Sequence, residues 1–428
     1  MRIFKNKIYH NASWIIVCKV LQSALAFIVG VLSARYLGPS NYGLINYAAS
    51  MVTFVLPICQ LGLNNTLVHE LACNPEKEGK ILGTSMILSA ISSLACMVGV
   101  LTFSAIADSS DVEAIIVVAI YGVNLIFQAL GLIQYWFQFR LLSKYSSIAS
   151  LVAYTAVSVY KLLLLITQKN VYWFAASYAI DYFLIVVFLL LLYKKHGGQK
   201  LQVDFKFGFR LVSKSKYYIL TGLMTVIYSQ TDKIMLKYMI DEEVVGYYAA
   251  AVAVSTITSF VFAAIIDSFR PIIFSMHDNE VGFETNIKRL YAIIIFLAVL
   301  QGCFMSIFAR PCISILYGNE FLPAVDALKV AAWFNLFSYV GSVRNIWILA
   351  KNKQQYLWII NLCGAVINVI LNLALIPSYG IVGASLASLV TQIFSNFILG
   401  FLLPPIKESN HLLLNSLHPS FFREFFKR

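Results

Sequence analysis

Twelve predominantly apolar stretches follow one another along the chain, separated by short polar segments. A helix needs about 20 mostly apolar residues to cross the hydrocarbon core of a bilayer, and each stretch is long enough. The pattern predicts an all-α, multi-pass membrane protein with spans near residues 13–35, 41–63, 81–104, 114–137, 147–167, 171–193, 216–239, 246–269, 289–309, 324–343, 356–377 and 380–403. Composition agrees: 60% of residues are hydrophobic and 12% charged, where a soluble chain carries about twice that charged fraction.

The longest polar segment between spans, residues 194–215, is also the most basic and follows the sixth span. Short Gly/Tyr/Ala-rich matches at Asn41–Ala49 and Val244–Ala251 fit a duplication. We therefore predict a six-helix N-terminal lobe over 1–200, a six-helix C-terminal lobe over 201–404 and a central cavity, as parallel repeats form. Residues 405–428 are predicted to be a basic amphipathic cytoplasmic tail on the inner leaflet, with a disordered tail as the alternative.

Basic residues are distributed unevenly between the two sides of the predicted membrane. If the N-terminus is cytoplasmic, 24 of the 32 Lys and Arg residues lie on the inner side and 4 on the outer side. Basic loops stay in the cytoplasm, so both termini are predicted to be cytoplasmic, in a bacterial inner membrane. The net charge of +12 is then a basic fringe facing anionic membrane lipids, and it requires no nucleic-acid partner.

Signatures of enzymes and cofactor sites are missing from the sequence. The only Gly-Lys pair, Gly79-Lys80, is followed by Ile81, so no P-loop is present. The seven Cys and six His are dispersed, and Cys residues of this kind are typical of packing. We predict that the protein is not an enzyme and carries no metal or cofactor.

Charges within the spans are the most informative polar residues, because each costs several kcal/mol near the bilayer centre unless it has a partner or water. Asp181 lies roughly 15 Å from the outer end of the sixth span, and Lys161 about 9 Å below the same surface in the fifth. A Lys161–Asp181 pair is predicted, either as a gate or proton-sensitive latch or as a static salt bridge. Asp232 and Lys233 end the polar run from Tyr228, which predicts cavity lining or helix–helix hydrogen bonding.

Five further residues have two interpretations each. Lys19 either faces a cavity or extends back to the cytoplasm. Asp267, Arg270 and Arg344 lie near predicted cytoplasmic ends and are either interfacial anchors or ligands. Pro57 interrupts the second span and is either a hinge or a static kink.

Several turn segments together resemble a known family. Ser33–Ala48 resembles the first outer turn of the O-antigen (Wzx-type) polysaccharide flippases, and Thr231–Lys237 followed by Val245–Ala249 resembles their seventh-to-eighth helix turn. Leu316–Ala324 and Ile376–Ala384 are similar to the turns before helices ten and twelve. The resemblance covers nearly all of residues 5–405. The flippases that the chain resembles belong to the multidrug/oligosaccharidyl-lipid/polysaccharide exporter superfamily.

The resemblance implies two six-helix lobes around a central cavity, and it implies a role. Such proteins move an undecaprenyl-pyrophosphate-linked oligosaccharide, the O-antigen or a similar repeat unit for lipopolysaccharide, from the cytoplasmic to the periplasmic leaflet by alternating access. The lipid-linked oligosaccharide, membrane lipids, a polysaccharide polymerase and a chain-length regulator are the implied partners. The candidate substrate-binding cations are Lys19, Lys161, Lys233, Arg35 and Arg344, and the coupling or gating candidates are Asp181, Asp232, Asp267 and Pro57.

Two other functions are compatible with the sequence. An ion-coupled multidrug or cation antiporter of the same superfamily would carry deep carboxylates and few cavity cations. A non-transporting scaffold for polysaccharide assembly would dock partners through the basic segment 194–215. A membrane-embedded polymerase would be expected to need a large outer loop, and the predicted outer loops are short.

Overall fold

The computed structural model describes the backbone of residues 2–276 and 279–418, and the side chains within these ranges from residue 14 onward, except at residue 65. All regular structure in this part of the chain is helical. The α-helices are α1 Arg2–Cys59, α2 Leu67–Cys73, α3 Glu78–Ala107, α4 Val112–Gly122, α5 Asn124–Leu130, α6 Gln134–Phe139, α7 Ser143–Ile166, α8 Val171–Lys195, α9 Phe205–Met239, α10 Glu242–Ser255, α11 Ser259–Ser275, α12 Glu280–Tyr317, α13 Ala324–Ala350, α14 Leu357–Ile393, α15 Leu399–Leu402 and α16 Lys407–Ser416.

Each of the twelve predicted spans falls on helix, and two of the predicted outer turns are single-residue breaks within long helical runs. Gly38 divides α1 with φ 71° and ψ 173°, and Gly380 divides α14 with φ 56° and ψ −130°. Positive φ is accessible to glycine because it lacks a Cβ, so the helix can break at these residues and resume after them. The prediction of an all-α, multi-pass membrane fold is confirmed, and the helices accommodate the twelve predicted spans.

Hydrophobicity alone identifies fewer spans than helix geometry does. Within the described residues, seven stretches are long and apolar enough to cross a membrane, or eight if α10 and α11, bent by 45°, form one span. Two of the seven each contain two predicted spans. The helices α9 and α13, 35 and 27 residues long, exceed the length needed but carry more polar residues.

Some predicted boundaries are wrong in detail. The span at 114–137 is divided into three short α-helices, with breaks near Gly122 and Gly131, where glycine weakens the helix. The segments 194–215 and 270–288, predicted as loops, are largely helical in their described residues. The helices continue past the apolar residues, because a helix can extend beyond the hydrocarbon core of the bilayer.

The helices form two compact units, one extending to Val226 and the other beginning at Ile227. The first unit has a buried core that includes Leu67, Trp136 and Phe137. The second has a core that includes Leu290 and Trp347. The contact boundary thus lies within α9, whereas the predicted lobe boundary follows residue 200.

The first half of α9 belongs to the N-terminal unit because it is tied to helices there. Lys214 Nζ lies 2.6 Å from Glu70 Oε1, and the hydroxyls of Thr66 and Ser215 are 2.9 Å apart. At Gly222 an added Cβ would lie 2.9 Å from Cβ of Pro57, so α9 packs closely against the end of α1.

Residues 199–204, which we call the linker segment, cross the start of α3 in backbone contact. The amide of Gln202 donates to the carbonyl of Gly79 at 3.1 Å, and the amide of Asp204 donates to Thr84 Oγ1 at 2.9 Å. An added Cβ at Gly83 would lie 2.4 Å from the carbonyl oxygen of Gln202. Glycine at 83 is therefore what allows this close approach.

The described part of the tail packs against the second unit. In α16, Ser409 and Asn410 are buried; the hydroxyls of Tyr291 and Ser409 are 2.9 Å apart, and Asn410 Nδ2 donates to the carbonyl of Phe397 at 2.6 Å. Residues 419–428 of the predicted amphipathic tail lie outside the described residues.

Candidate functional sites

A cluster of aromatic and charged side chains lies inside the N-terminal unit, formed by α4, α7 and α8. Lys161 is 9% exposed, and its Nζ lies 4.1 Å from the centroid of the Tyr178 ring. The Tyr178 ring is in turn 4.7 Å from that of Tyr121. Asp181 acts electrostatically on Lys161, Tyr121 and Tyr154. We call these residues, with Tyr182, the tyrosine cluster.

Helical spacing explains how α8 contributes to this cluster. Tyr178 and Asp181 are three residues apart, and Tyr182 is four from Tyr178, so all three project from one face. The neighbouring α7 carries Tyr154 and Lys161, two turns apart on its facing side.

The predicted Lys161–Asp181 proximity is present, but the described residues show no direct ion pair between them. The ammonium of Lys161 lies over the Tyr178 ring instead, a contact worth about 2 kcal/mol when desolvated. Asp181 Oδ1 is buried and has no hydrogen-bond partner among the described residues. An unpartnered carboxylate oxygen in such surroundings is costly, and a proton, a cation or a donor group would relieve the cost.

A second cluster lies inside the C-terminal unit around Asp232, which is 4% exposed. Its Oδ2 accepts from Tyr248 Oη at 2.6 Å and from Ser388 Oγ at 2.5 Å, and its Oδ1 accepts from Asn372 Nδ2 at 2.6 Å. We call these four residues the Asp232 cluster. The donors come from α10 and α14, so the polar run in α9 forms helix–helix hydrogen bonds, one of the two predicted interpretations.

Arg344 is 1% exposed in α13, which is far deeper than an interfacial anchor. Its Nη1 donates to the carbonyl of Ser395 at 2.7 Å and its Nη2 to Asn396 Oδ1 at 2.9 Å. Both acceptors belong to the π-helical turn Phe394–Ile398, where wider winding alters the normal i to i+4 bonding and leaves carbonyls for other donors. Gly341 permits the contact, because an added Cβ would lie within 2.3 Å of Asn396 Oδ1.

The other predicted site residues do not join these clusters. Lys19 and Arg35 are exposed on α1. Asp267 forms an exposed 3.1 Å ion pair with Arg270, one turn away. Lys233 is half-buried beside Asp232. Pro57 lies within α1 against Gly222.

The sequence reasoning missed one buried ion pair near the start of α3. Glu78, with a fully buried side chain, accepts from Arg140 Nη2 at 2.7 Å and Nε at 3.2 Å through the single oxygen Oε2. It also missed the tyrosines around Asp181. The spacing of Tyr178 and Tyr182 on the same helix face as Asp181 was the available signal.

Comparison with known proteins identifies the family. A family model for polysaccharide biosynthesis proteins matches residues 8–277, more than half of the chain. The probable low-salt glycan biosynthesis flippase Agl15 of Haloferax volcanii is 25% identical over 187 residues, covering 43% of this chain and 40% of Agl15. The chain thus aligns with less than half the length of this curated relative.

Two groups of solved structures share the fold. The lipid II flippase MurJ, in an inward closed conformation, superimposes with a TM-score of 0.74 at 15% identity, covering 94% of this chain and 90% of MurJ. An inward-facing multidrug resistance MATE transporter of the MOP superfamily superimposes with a TM-score of 0.69 at 13% identity, covering 94% and 100%. The resemblance seen in the turn segments is confirmed: the chain belongs to the polysaccharide biosynthesis protein family and has the fold of the MurJ and MATE transporters.

Proposed function

We propose that this protein is a flippase, and not an enzyme, that moves a lipid-linked oligosaccharide across the membrane. The observation that carries the proposal is the tyrosine cluster, in which a buried Lys161 and a partly unpartnered Asp181 lie inside the N-terminal unit. Family membership and the flippase names of the relative and of MurJ support the same activity.

The finer proposal concerns substrate and direction. The substrate would be an undecaprenyl-pyrophosphate-linked O-antigen or similar repeat unit, moved from the cytoplasmic to the periplasmic leaflet of a bacterial inner membrane by alternating access. Hydrocarbon cannot hydrogen-bond sugar hydroxyls or pyrophosphate, and this desolvation is the barrier to crossing. A polymerase and a chain-length regulator are proposed partners, because they would use the translocated product.

Within the cluster, the residues have distinct proposed roles. Lys161 supplies a positive charge for a phosphate oxygen, for which an ammonium is an adequate partner. The tyrosine hydroxyls supply donors beside apolar rings, which suit a sugar. Asp181 is the coupling candidate, because Oδ1 has no hydrogen-bond partner in the described part of the chain and so loses none when it binds a proton or cation. Lys19, Arg35, Lys233 and Arg344 remain proposed cations of lesser support.

An ion-coupled antiporter for organic cations is the second candidate. A carboxylate beside tyrosine rings is also suited to a cationic ligand, and Tyr178 and Tyr182 lie on the same face of α8 as Asp181. The presence of Lys161 in the same cluster disfavours such a ligand by charge repulsion.

The decisive experiment quantifies lipid-linked oligosaccharide in each leaflet of cells depleted of the protein. We expect the oligosaccharide to accumulate on the cytoplasmic face. Expression of the wild-type chain should reverse this accumulation, and Lys161→Gln should slow the reversal about tenfold or more. Lys329→Gln is the matched control, because this exposed lysine pairs only with the neighbouring Asp326 at 2.8 Å. Unchanged oligosaccharide together with altered sensitivity to cationic drugs would favour the antiporter instead.

A further inference from the structure

A cavity of about 330 Å³ opens in the N-terminal unit, at the face that the charge distribution predicts to be cytoplasmic. It lies where α2 and the start of α3 meet the first turns of α9. Its lining residues are Glu70, Asn74, Lys77, Lys80, Ile81, Phe207, Arg210, Leu211 and Lys214, which we call the basic pocket. The volume lies at the lower end of the range for small-molecule sites.

The lining of the basic pocket contains four cations and one carboxylate. Lys214 is paired with Glu70 at 2.6 Å, and Lys80 with Asp204, just outside the lining, at 2.5 Å. Arg210 has no carboxylate partner among the described residues; its guanidinium lies 6.0 Å from the ring of Phe207.

Among the described residues, the remaining cation, Lys77, forms an ion pair only with its exposed neighbour Glu76, at 3.6 Å. An ion pair of this kind contributes little. Lys77 and Arg210 therefore bring positive charge into the pocket that the described residues neutralise little, if at all, through ion pairs.

The linker segment holds the walls of the pocket in place. Its backbone bonds to Gly79 and Thr84 fix the end of the linker beside α3, so α9 begins alongside Lys80. The buried apolar side chains of Ile81 and Leu211 form part of the lining. A concave site with a partly apolar floor and convergent cations suits an anion that carries an apolar or neutral part.

We propose that the basic pocket binds a phosphate group, supplied either by the headgroup of an anionic phospholipid or by a soluble phosphate compound. The inference does not depend on the proposed flippase activity. Arg210 would contribute its planar guanidinium, which matches two phosphate oxygens, and Lys77 and Lys80 would contribute point charges. The binding partner is thus recognised by its phosphate, whichever molecule carries it.

The test uses the purified full-length protein in detergent. Native mass spectrometry measures binding of phosphatidylglycerol, with diacylglycerol, which lacks a phosphate, as the neutral comparison, and calorimetry measures binding of inorganic pyrophosphate. We expect Arg210→Gln and Lys77→Gln each to weaken anion binding about fivefold. Glu70→Gln should strengthen it, because the change removes a negative charge and releases Lys214.

Lys216→Gln is the matched control, because it removes the same charge from α9 outside the pocket lining. A loss confined to phosphatidylglycerol supports a lipid headgroup, and a loss that includes pyrophosphate supports a soluble phosphate compound. If Lys216→Gln weakened binding as much as Arg210→Gln, or if neither pocket variant had an effect, the site would be refuted.

Discussion

The Glu78–Arg140 ion pair predicts a strong asymmetry between its two partners. Glu78 is fully buried, whereas 45% of the Arg140 side chain is exposed. Replacing Arg140 with Gln strands a carboxylate in the protein interior, while replacing Glu78 with Gln leaves a guanidinium that water can solvate. The two substitutions remove the same contact but should have different costs.

The magnitudes follow from these exposures. Removing one partner of a fully buried pair costs about 3–5 kcal/mol, and partial exposure of Arg140 reduces this to about 2–3 kcal/mol for Arg140→Gln. For Glu78→Gln we expect about 1 kcal/mol or less. At about 2–4 °C per kcal/mol, the melting temperature should fall by about 4–12 °C for Arg140→Gln and by at most about 4 °C for Glu78→Gln.

The assay is thermal unfolding of the purified protein in detergent, followed by tryptophan fluorescence at one fixed scan rate. Trp136 is a buried reporter in the same region, with its ring 5.9 Å from Cζ of Arg140. The double variant should recover most of the loss seen for Arg140→Gln, since no charge is then stranded. Lys329→Gln, which breaks an exposed pair, should change little. Equal losses for the two single variants would refute the reasoning that burial sets the cost.

Three further predictions concern coupling and the linker segment. Asp181→Asn should abolish the response of reconstituted transport to an imposed ion gradient without unfolding the protein; full transport at every gradient would remove Asp181 from coupling. Gly83→Ala should cost about 2 kcal/mol and increase proteolysis of residues 199–204, because its Cβ would lie 2.4 Å from the carbonyl oxygen of Gln202. The hydrogen bond from Lys80 lowers the pKa of Asp204 from its ordinary value of 3.8. The stabilising effect of this bond is therefore fully present above pH 3.8 and is lost as the pH falls through the lowered pKa. Protection of the linker amides from hydrogen exchange, taken relative to the intrinsic rate at each pH, should therefore fall below about pH 4 in the wild type but show no such step in Asp204→Asn.

The span positions could be predicted because hydrophobicity acts locally. Even α9 is predictable, since its polar run from Tyr228 to Lys233 is flanked by apolar residues on both sides. The breaks within the fourth and eighth spans could not be predicted, because a bend between short helices leaves the apolar character of the segment unchanged. The turns at Gly38 and Gly380 can be predicted from the sequence, because glycine at a short interruption between spans is a recognisable signal.

Pairing between distant residues is much harder to predict. The Lys161–Asp181 proximity follows from depth along two consecutive antiparallel helices, where the rise per residue is a sufficient guide. The position of the Tyr178 ring under the ammonium is not predictable from depth, because it depends on helix rotation. Glu78 and Arg140 are 62 residues apart, and both fall in segments predicted to be loops. The packing that buries Glu78 is visible only in three dimensions.

Asp181 and Asp232 show why residue identity and depth cannot assign roles by themselves. Both are carboxylates within predicted spans, and the sequence proposes both for coupling. Asp232 accepts three hydrogen bonds from α10 and α14, so protonation would break favourable contacts and loosen the joint between these helices. Asp181 has one oxygen without a partner among the described residues, so binding a proton or cation there would disrupt less. We therefore propose that Asp232 holds helices together and that Asp181 is the carboxylate better suited to change its state during the proposed transport.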